Sequence, residues 1–105
     1  MSEAEDKTAA LLATLWVKNL PIVEERLGTL ERAAAAAVSG GLSDELRGEA
    51  AQTAHKLAGA LGMYGYDEGT RIARELEALL SSEGPDAARL GELVRELRTA
   101  VFPKG

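Results

Sequence analysis

Apolar residues recur three to four positions apart along most of the 105-residue chain, which predicts amphipathic helices rather than strands. The spacing predicts a short first helix over residues 7–18. Asn19 and Pro21 predict a break or kink before a second helix over residues 21–38. Capping and turn residues delimit three further helices, at about residues 44–64, 67–80 and 86–101, with Ser43 and Asp67 as caps and Gly65 as the turn residue between the first two. We therefore expect an all-α protein, an antiparallel four-helix bundle with an additional short N-terminal helix.

The same pattern separates the bundle from the two ends of the chain. Half of residues 1–6 are acidic and none provides an apolar anchor, so we expect a disordered N-terminus there. We expect the helical bundle over residues 7–102 and a C-terminal tail over residues 103–105. A chain of this length is expected to hold one hydrophobic core.

Composition narrows the classes of partner and site. The formal net charge is −5 without a concentrated basic face, so we expect neither nucleic acid nor an anionic membrane as a partner. The absence of cysteine and the single histidine leave no basis for a disulfide or a zinc site. The longest apolar run, residues 33–38, is far shorter than the roughly 20 residues of a membrane span. Because the N-terminus also lacks a signal peptide's pattern, we expect a cytoplasmic protein. We further expect a monomer without a cofactor of its own.

The only histidine, His55, lies in the stretch that carries the strongest indication of function. On a helix with about 100° per residue, Leu57 and Leu61 lie on the side opposite the imidazole, which we expect to face the core. Small or polar residues surround the ring: Gly48, Ala51, Gln52, Gly59 and Gly62. Each helical glycine costs about 0.8–1 kcal/mol relative to alanine. Either clearance for a partner's reactive atom or close packing of a neighbouring helix would explain this cost, and the histidine on the same side favours clearance.

The segment from His55 to Gly65 and the later run Arg74-Glu75-Leu76-Glu77 together resemble a known family. They closely resemble the histidine-containing phosphotransfer (Hpt) domains of bacterial multistep phosphorelays. The positions that match the family pattern in residue and spacing are Leu57, Gly59, Gly65, Leu76 and Glu77. One position departs from the pattern: most members carry a lysine three residues after the histidine, where this chain has Ala58.

This resemblance implies a phosphoryl group carried on His55. A response-regulator receiver domain would present its phospho-aspartate and bound Mg²⁺, and a ring nitrogen, expected to be Nε2, would accept the group before a second receiver takes it onward. A sensor histidine kinase is an alternative donor. An imidazole is a suitable nucleophile near neutral pH because its unperturbed pKa is about 6.5. Mg²⁺ is expected only on the partner, and we expect no ATP binding because the chain has no Walker-type loop.

The resemblance also implies that Glu77 hydrogen-bonds the imidazole, although a surface ion pair between Glu77 and Arg74 is an alternative. Lys56 either stabilises the phosphoryl group in place of the absent lysine or is simply a solvated side chain. The expected partner-binding residues are Gly48, Gln52, Gly59, Gly62 and Arg74. A bundle that docks receivers or dimerises without carrying phosphate is the alternative function. A hydrolase is disfavoured because no motif places a nucleophile or acidic partner beside His55.

Overall fold

A computed structural model describes residues 3–103 of the chain as four α-helices joined by short loops, with no strand in that range. The helices are α1 (Glu3–Val38), α2 (Asp44–Met63), α3 (Asp67–Leu80) and α4 (Ala87–Val101). Each helix packs against two others, in the cyclic order α1, α2, α3, α4, so the four form a closed bundle. The all-α class predicted from the sequence is confirmed.

The first helix joins two segments that the sequence pattern separates, so the prediction of an additional short N-terminal helix is wrong. Pro21 lies inside α1, where it cannot donate a hydrogen bond to the carbonyl of Val17. Both residues are exposed, so water can bond to that carbonyl. The apolar side of the helix meanwhile continues from Trp16 through Val23 to Leu27. A proline on the solvent side therefore interrupts one hydrogen bond without ending the helix.

The N-terminal end of the chain also differs from the expectation. Residues 3–6 are helical, whereas the sequence predicts disorder over residues 1–6; residues 1–2 and 104–105 lie outside the described residues. Glutamate and alanine are good helix formers, and acidic side chains favour a helix N-terminus, which accounts for the earlier start. α1 is 36 residues long, yet within residues 3–103 no helix is long and apolar enough to cross a membrane.

Apolar side chains from all four helices meet along the bundle. Apolar residues at helical spacing on α2, α3 and α4 are buried: Ala50, Ala54, Leu57, Leu61, Ile72, Leu76, Leu90, Leu93, Leu97 and Val101. α1 adds Val23, Leu27 and Leu30 to the same core. Burying a leucine or valine side chain contributes about 1.5–3 kcal/mol, so this set supplies the main stabilisation of the bundle. Its regular spacing leaves the opposite sides of the helices free for polar residues.

A tight turn places α2 and α3 side by side. Ser43 caps the start of α2 by accepting a backbone N–H, as the sequence predicts. Gly65 connects the two helices with φ of 82°, a left-handed conformation that glycine adopts without strain. Asp67 is the first residue of α3 rather than its cap, because Tyr66 occupies the capping position. This turn sets the two helices antiparallel, so that residues far apart in the sequence meet across them.

An aromatic cluster fastens the α2–α3 turn to α1. The ring of Trp16 stacks on Tyr66 with 4.6 Å between centroids and lies tilted against Tyr64 at 5.1 Å. Aromatic pairs contribute about 0.5–1.5 kcal/mol beyond the area they bury. The cluster therefore holds the end of the helical hairpin against the first helix, and leaves the middle of α2 and α3 to form the surface described next.

Candidate functional site

The α2–α3 pair presents the only histidine beside a glutamate. The side chain of His55 is 74% exposed and that of Glu77 is 35% exposed. His55 Nδ1 lies 3.0 Å from Glu77 Oε2. Because an ionised carboxylate only accepts hydrogen bonds, Nδ1 carries the proton in this pair. The neutral ring then keeps a free lone pair on Nε2, on a side chain that faces solvent as the leucine pattern predicts.

Glu77 bonds to His55 and not to Arg74, the alternative partner considered from the sequence. The neighbouring arginine on α3, Arg71, forms ion pairs with Glu68 and Glu75. His55 and Glu77 are 22 residues apart, so they meet only because the turn brings α2 and α3 together. The structure thus places side by side the two side chains that the resemblance pairs.

A shallow groove surrounds the histidine. It is lined by Ala51, Gln52, His55, Lys56, Glu77 and Ser81. Lys56 and Gln52 therefore share one surface with the ring. Arg74 lies one helical turn from Glu77 but lines a neighbouring depression, together with Thr70 and Ala78. Of the two candidate cations, the structure groups Lys56 with the imidazole and sets Arg74 at the edge.

The three glycines near His55 have different surroundings. A Cβ atom added at Gly48 or Gly59 would meet no heavy atom within 4 Å. A Cβ added at Gly62 would lie 3.4 Å from the hydroxyl oxygen of Thr70. The open space over Gly48 and Gly59 suits the approach of a partner, whereas Gly62 also lets α3 come close. Open space and a close neighbouring helix, the two surroundings considered for the glycines, therefore occur at different positions.

The family model named Hpt domain matches residues 20–101, a range that contains His55, Glu77 and all of α2, α3 and α4. The chain belongs to the Hpt domain family. It is also 28% identical over 100 residues to protein RcaC of Microchaete diplosiphon, covering 95% of this chain and 15% of that protein. No solved structure matches the chain. Hpt domains work with receiver domains in phosphorelays, so the general role of this chain is in phosphotransfer relays.

The position where most Hpt domains carry a lysine is buried in this one. Ala58 is only 5% exposed, and its carbonyl oxygen accepts a hydrogen bond of 3.2 Å from the hydroxyl of Thr70. Our sequence interpretation did not single out Thr70. The available signal was its spacing, because it precedes Glu77 by two helical turns and therefore lies on the same side of α3.

Arg47 is a second residue that the sequence interpretation missed. Its guanidinium group donates hydrogen bonds to the carbonyls of Leu80 and Ser82, at 3.1 and 3.2 Å. The first carbonyl belongs to the last residue of α3 and the second lies just beyond its C-cap, where a cation is favourable to the helix dipole. Arg47 thus ties the start of α2 to the end of α3 in this Hpt domain, on the opposite side of His55 from Thr70. No group of three or more acidic, histidine or cysteine side chains suited to a metal ion occurs in the described part of the chain.

Proposed function

We propose that this Hpt domain accepts a phosphoryl group on Nε2 of His55 from the phospho-aspartate of a receiver domain and passes it to a second receiver. The contact between His55 Nδ1 and Glu77 Oε2 carries the proposal. It holds the proton on one ring nitrogen and leaves the other nucleophilic, on a ring that is 74% exposed. A sensor histidine kinase that phosphorylates the same nitrogen is an alternative donor.

The transfer needs no proton to leave the ring. The Nε2 lone pair attacks phosphorus while the bond from phosphorus to the aspartate oxygen breaks, and the carboxylate departs with that electron pair. The ring gains positive charge, which the carboxylate of Glu77 stabilises through the Nδ1–H. In onward transfer the phosphorus–nitrogen bond breaks and its electron pair returns to Nε2. Charge on the transferring oxygens is expected to be neutralised chiefly by Mg²⁺ bound to the partner receiver.

The surface around the ring supplies the remaining parts of the proposal. Lys56 lines the groove of His55, so its ammonium group can approach the phosphoryl oxygens. Gln52 lines the same groove, while Gly48 and Gly59 leave open space beside it. Arg74 adds positive charge at the edge of this surface. We propose that these residues receive the partner, with Lys56 taking part of the role that lysine has at the position of Ala58 in most Hpt domains.

The test is transfer of labelled phosphate from phosphorylated receivers to the full chain. We expect label that is labile to acid and stable to base, as for a phosphohistidine, and mass spectrometry should place it on His55. A second receiver should then remove it. Receivers that bind the chain and keep their phosphate, with no label on His55, would instead support a docking module and overturn the proposal.

A further inference from the structure

The contact between His55 and Glu77 lies at the surface and is not held in place by burial of the histidine side chain. The histidine side chain is 74% exposed, so its own packing does not hold it against the carboxylate. The position of α3 relative to α2 must therefore decide whether Glu77 reaches Nδ1. In the described part of the chain, side chains make polar connections between these helices at three places: Arg47, Thr70, and the pair of His55 and Glu77.

Thr70 connects α3 to α2 at a point between His55 and the α2–α3 turn. Its hydroxyl donates a 3.2 Å hydrogen bond to the carbonyl of Ala58, three residues after the histidine. In an α-helix the Ala58 carbonyl also accepts the N–H of Gly62, and its two lone pairs allow both bonds. This bond joins a side chain of α3 to the backbone of α2, and so fixes the distance between the two helices at that level.

Gly62 creates the space that the hydroxyl uses. A Cβ atom at this position would stand 3.4 Å from Thr70 Oγ1, at the limit of ordinary contact. With glycine there, position 62 places no side chain beside the threonine hydroxyl where it reaches the carbonyl of Ala58. Glu77 follows Thr70 by two helical turns on the same side of α3, so a shift at Thr70 moves Glu77 as well.

We propose that Thr70 and Gly62 are positioning residues, which set the approach of α3 to α2 and thereby hold Glu77 on Nδ1 of His55. Gly62 then acts through the neighbouring helix, whereas Gly59 acts by leaving space for a partner. The importance of this device for phosphotransfer rests on the proposed function. Its structural consequence, the proton held on Nδ1, is measurable in the unphosphorylated chain without any partner.

The test uses the full chain labelled with ¹⁵N histidine, in which all ring signals come from His55 because it is the only histidine. Thr70→Val keeps the shape of the side chain and removes the donor, and Thr70→Ser restores it. Thr53→Val is the matched control, because the Thr53 hydroxyl bonds only within α2, to the carbonyl of Glu49. We expect the ratio of the Nδ1–H to the Nε2–H tautomer to fall several-fold in Thr70→Val, toward its value in Glu77→Ala. Thr70→Ser and Thr53→Val should keep the wild-type ratio.

A second pair of variants separates approach from clearance. Gly62→Leu adds atoms beyond the Cβ, which would itself lie 3.4 Å from Thr70 Oγ1, so it should lower the tautomer ratio as Thr70→Val does. Gly59→Leu should leave the ratio unchanged, because a Cβ there would meet no heavy atom of the described chain within 4 Å. Unchanged ratios in both Thr70→Val and Gly62→Leu would overturn the proposal, and if the valine variant does not fold, the glycine pair alone decides. Ratios that fall as expected in a chain whose His55 accepts no phosphate would uphold the positioning device and reject the proposed function.

Discussion

Two polar contacts between helices use their donor atoms in opposite ways. Between α1 and α4, every guanidinium nitrogen of Arg98 donates to a carboxylate of Glu24 or Glu31. Between α2 and α3, His55 engages Glu77 through Nδ1, and the second ring nitrogen is the atom that accepts the phosphoryl group in the proposed transfer. Both contacts lie at the surface and involve glutamate. The first uses all of its donor nitrogens to connect two helices, while the second uses one ring nitrogen and leaves the other without a partner among the described residues.

The difference separates an ion pair from a reactive site on physical grounds. A guanidinium group is always charged and has no lone pair to offer, so Arg98 cannot act as a nucleophile, and all of its nitrogens are used in contacts with α1. A neutral imidazole keeps one lone pair after its N–H is bonded, and the bond selects which nitrogen keeps it. If this distinction is correct, changes at the α2–α3 contact should alter phosphotransfer without unfolding the chain. Changes at the α1–α4 contact should lower the stability of the fold and leave phosphotransfer unchanged.

The largest effect is expected for His55→Gln. The amide has no nucleophilic nitrogen, so labelling by phosphorylated receivers should be lost completely. The side chain faces solvent, so the circular dichroism spectrum and the melting temperature should stay as in the wild type. Residual labelling at the wild-type rate would show that another residue carries the phosphate. A variant that no longer folds would contradict the placement of the ring outside the core.

Glu77→Ala should slow phosphoryl acceptance by about tenfold. A hydrogen bond to a charged group contributes about 1.5–3 kcal/mol, and Glu77 is partly exposed, so the lower end applies. Single-turnover transfer from one receiver measures the rate, and receiver affinity is measured separately. Glu75→Ala is the control, since its carboxylate pairs with Arg71 and Arg89 away from the histidine. Equal rates in the two variants would leave Glu77 without a part in the reaction.

Lys56→Gln should slow transfer by a smaller factor, about two- to fivefold. An ammonium group about 4 Å from a phosphoryl charge in water is worth about 1 kcal/mol, and salt screens it. The difference between wild type and variant should therefore shrink as ionic strength rises. Lys18→Gln on α1 serves as the control for net charge, because Lys18 is exposed and lies far along the chain from the groove. Loss of rate in both variants alike would assign the effect to overall charge.

Most of the fold is predictable because its signals are local. The leucines of α2, α3 and α4 repeat at helical spacing, and Ser43 and Gly65 mark helix ends through their own chemistry. Pro21 misled the prediction because its effect depends on which side of α1 it occupies. On the solvent side, water can bond to the carbonyl that proline leaves unpaired, and the apolar side of the helix continues.

The site is predictable only where one helix determines it. The position of His55 opposite Leu57 and Leu61 follows from the periodicity of α2 alone. Its contact with Glu77 spans 22 residues, and it was expected from the family resemblance rather than from spacing. Thr70 escaped notice because its bond to the backbone of Ala58 depends on how closely two helices approach. That distance is a property of the packed bundle, which no single helical pattern contains.

The smallest effect on phosphotransfer is expected for Arg98→Met, which should instead lower stability. The hydrogen bond from Arg98 lowers the pKa of Glu24 below its ordinary value of 4.5. A carboxyl group whose pKa is lower in the folded chain contributes stability that is present above its unfolded pKa and is lost as the pH falls through the folded one. The stability difference between wild type and variant should thus be full at pH 7 and shrink below about pH 4.5. Urea unfolding at several pH values measures this difference in the free energy of unfolding.

A stability difference that persists at low pH would assign the stabilisation to packing of the arginine stem rather than to its charge. Slower phosphotransfer in Arg98→Met would contradict the distinction between a contact that stabilises the fold and a contact that takes part in the reaction.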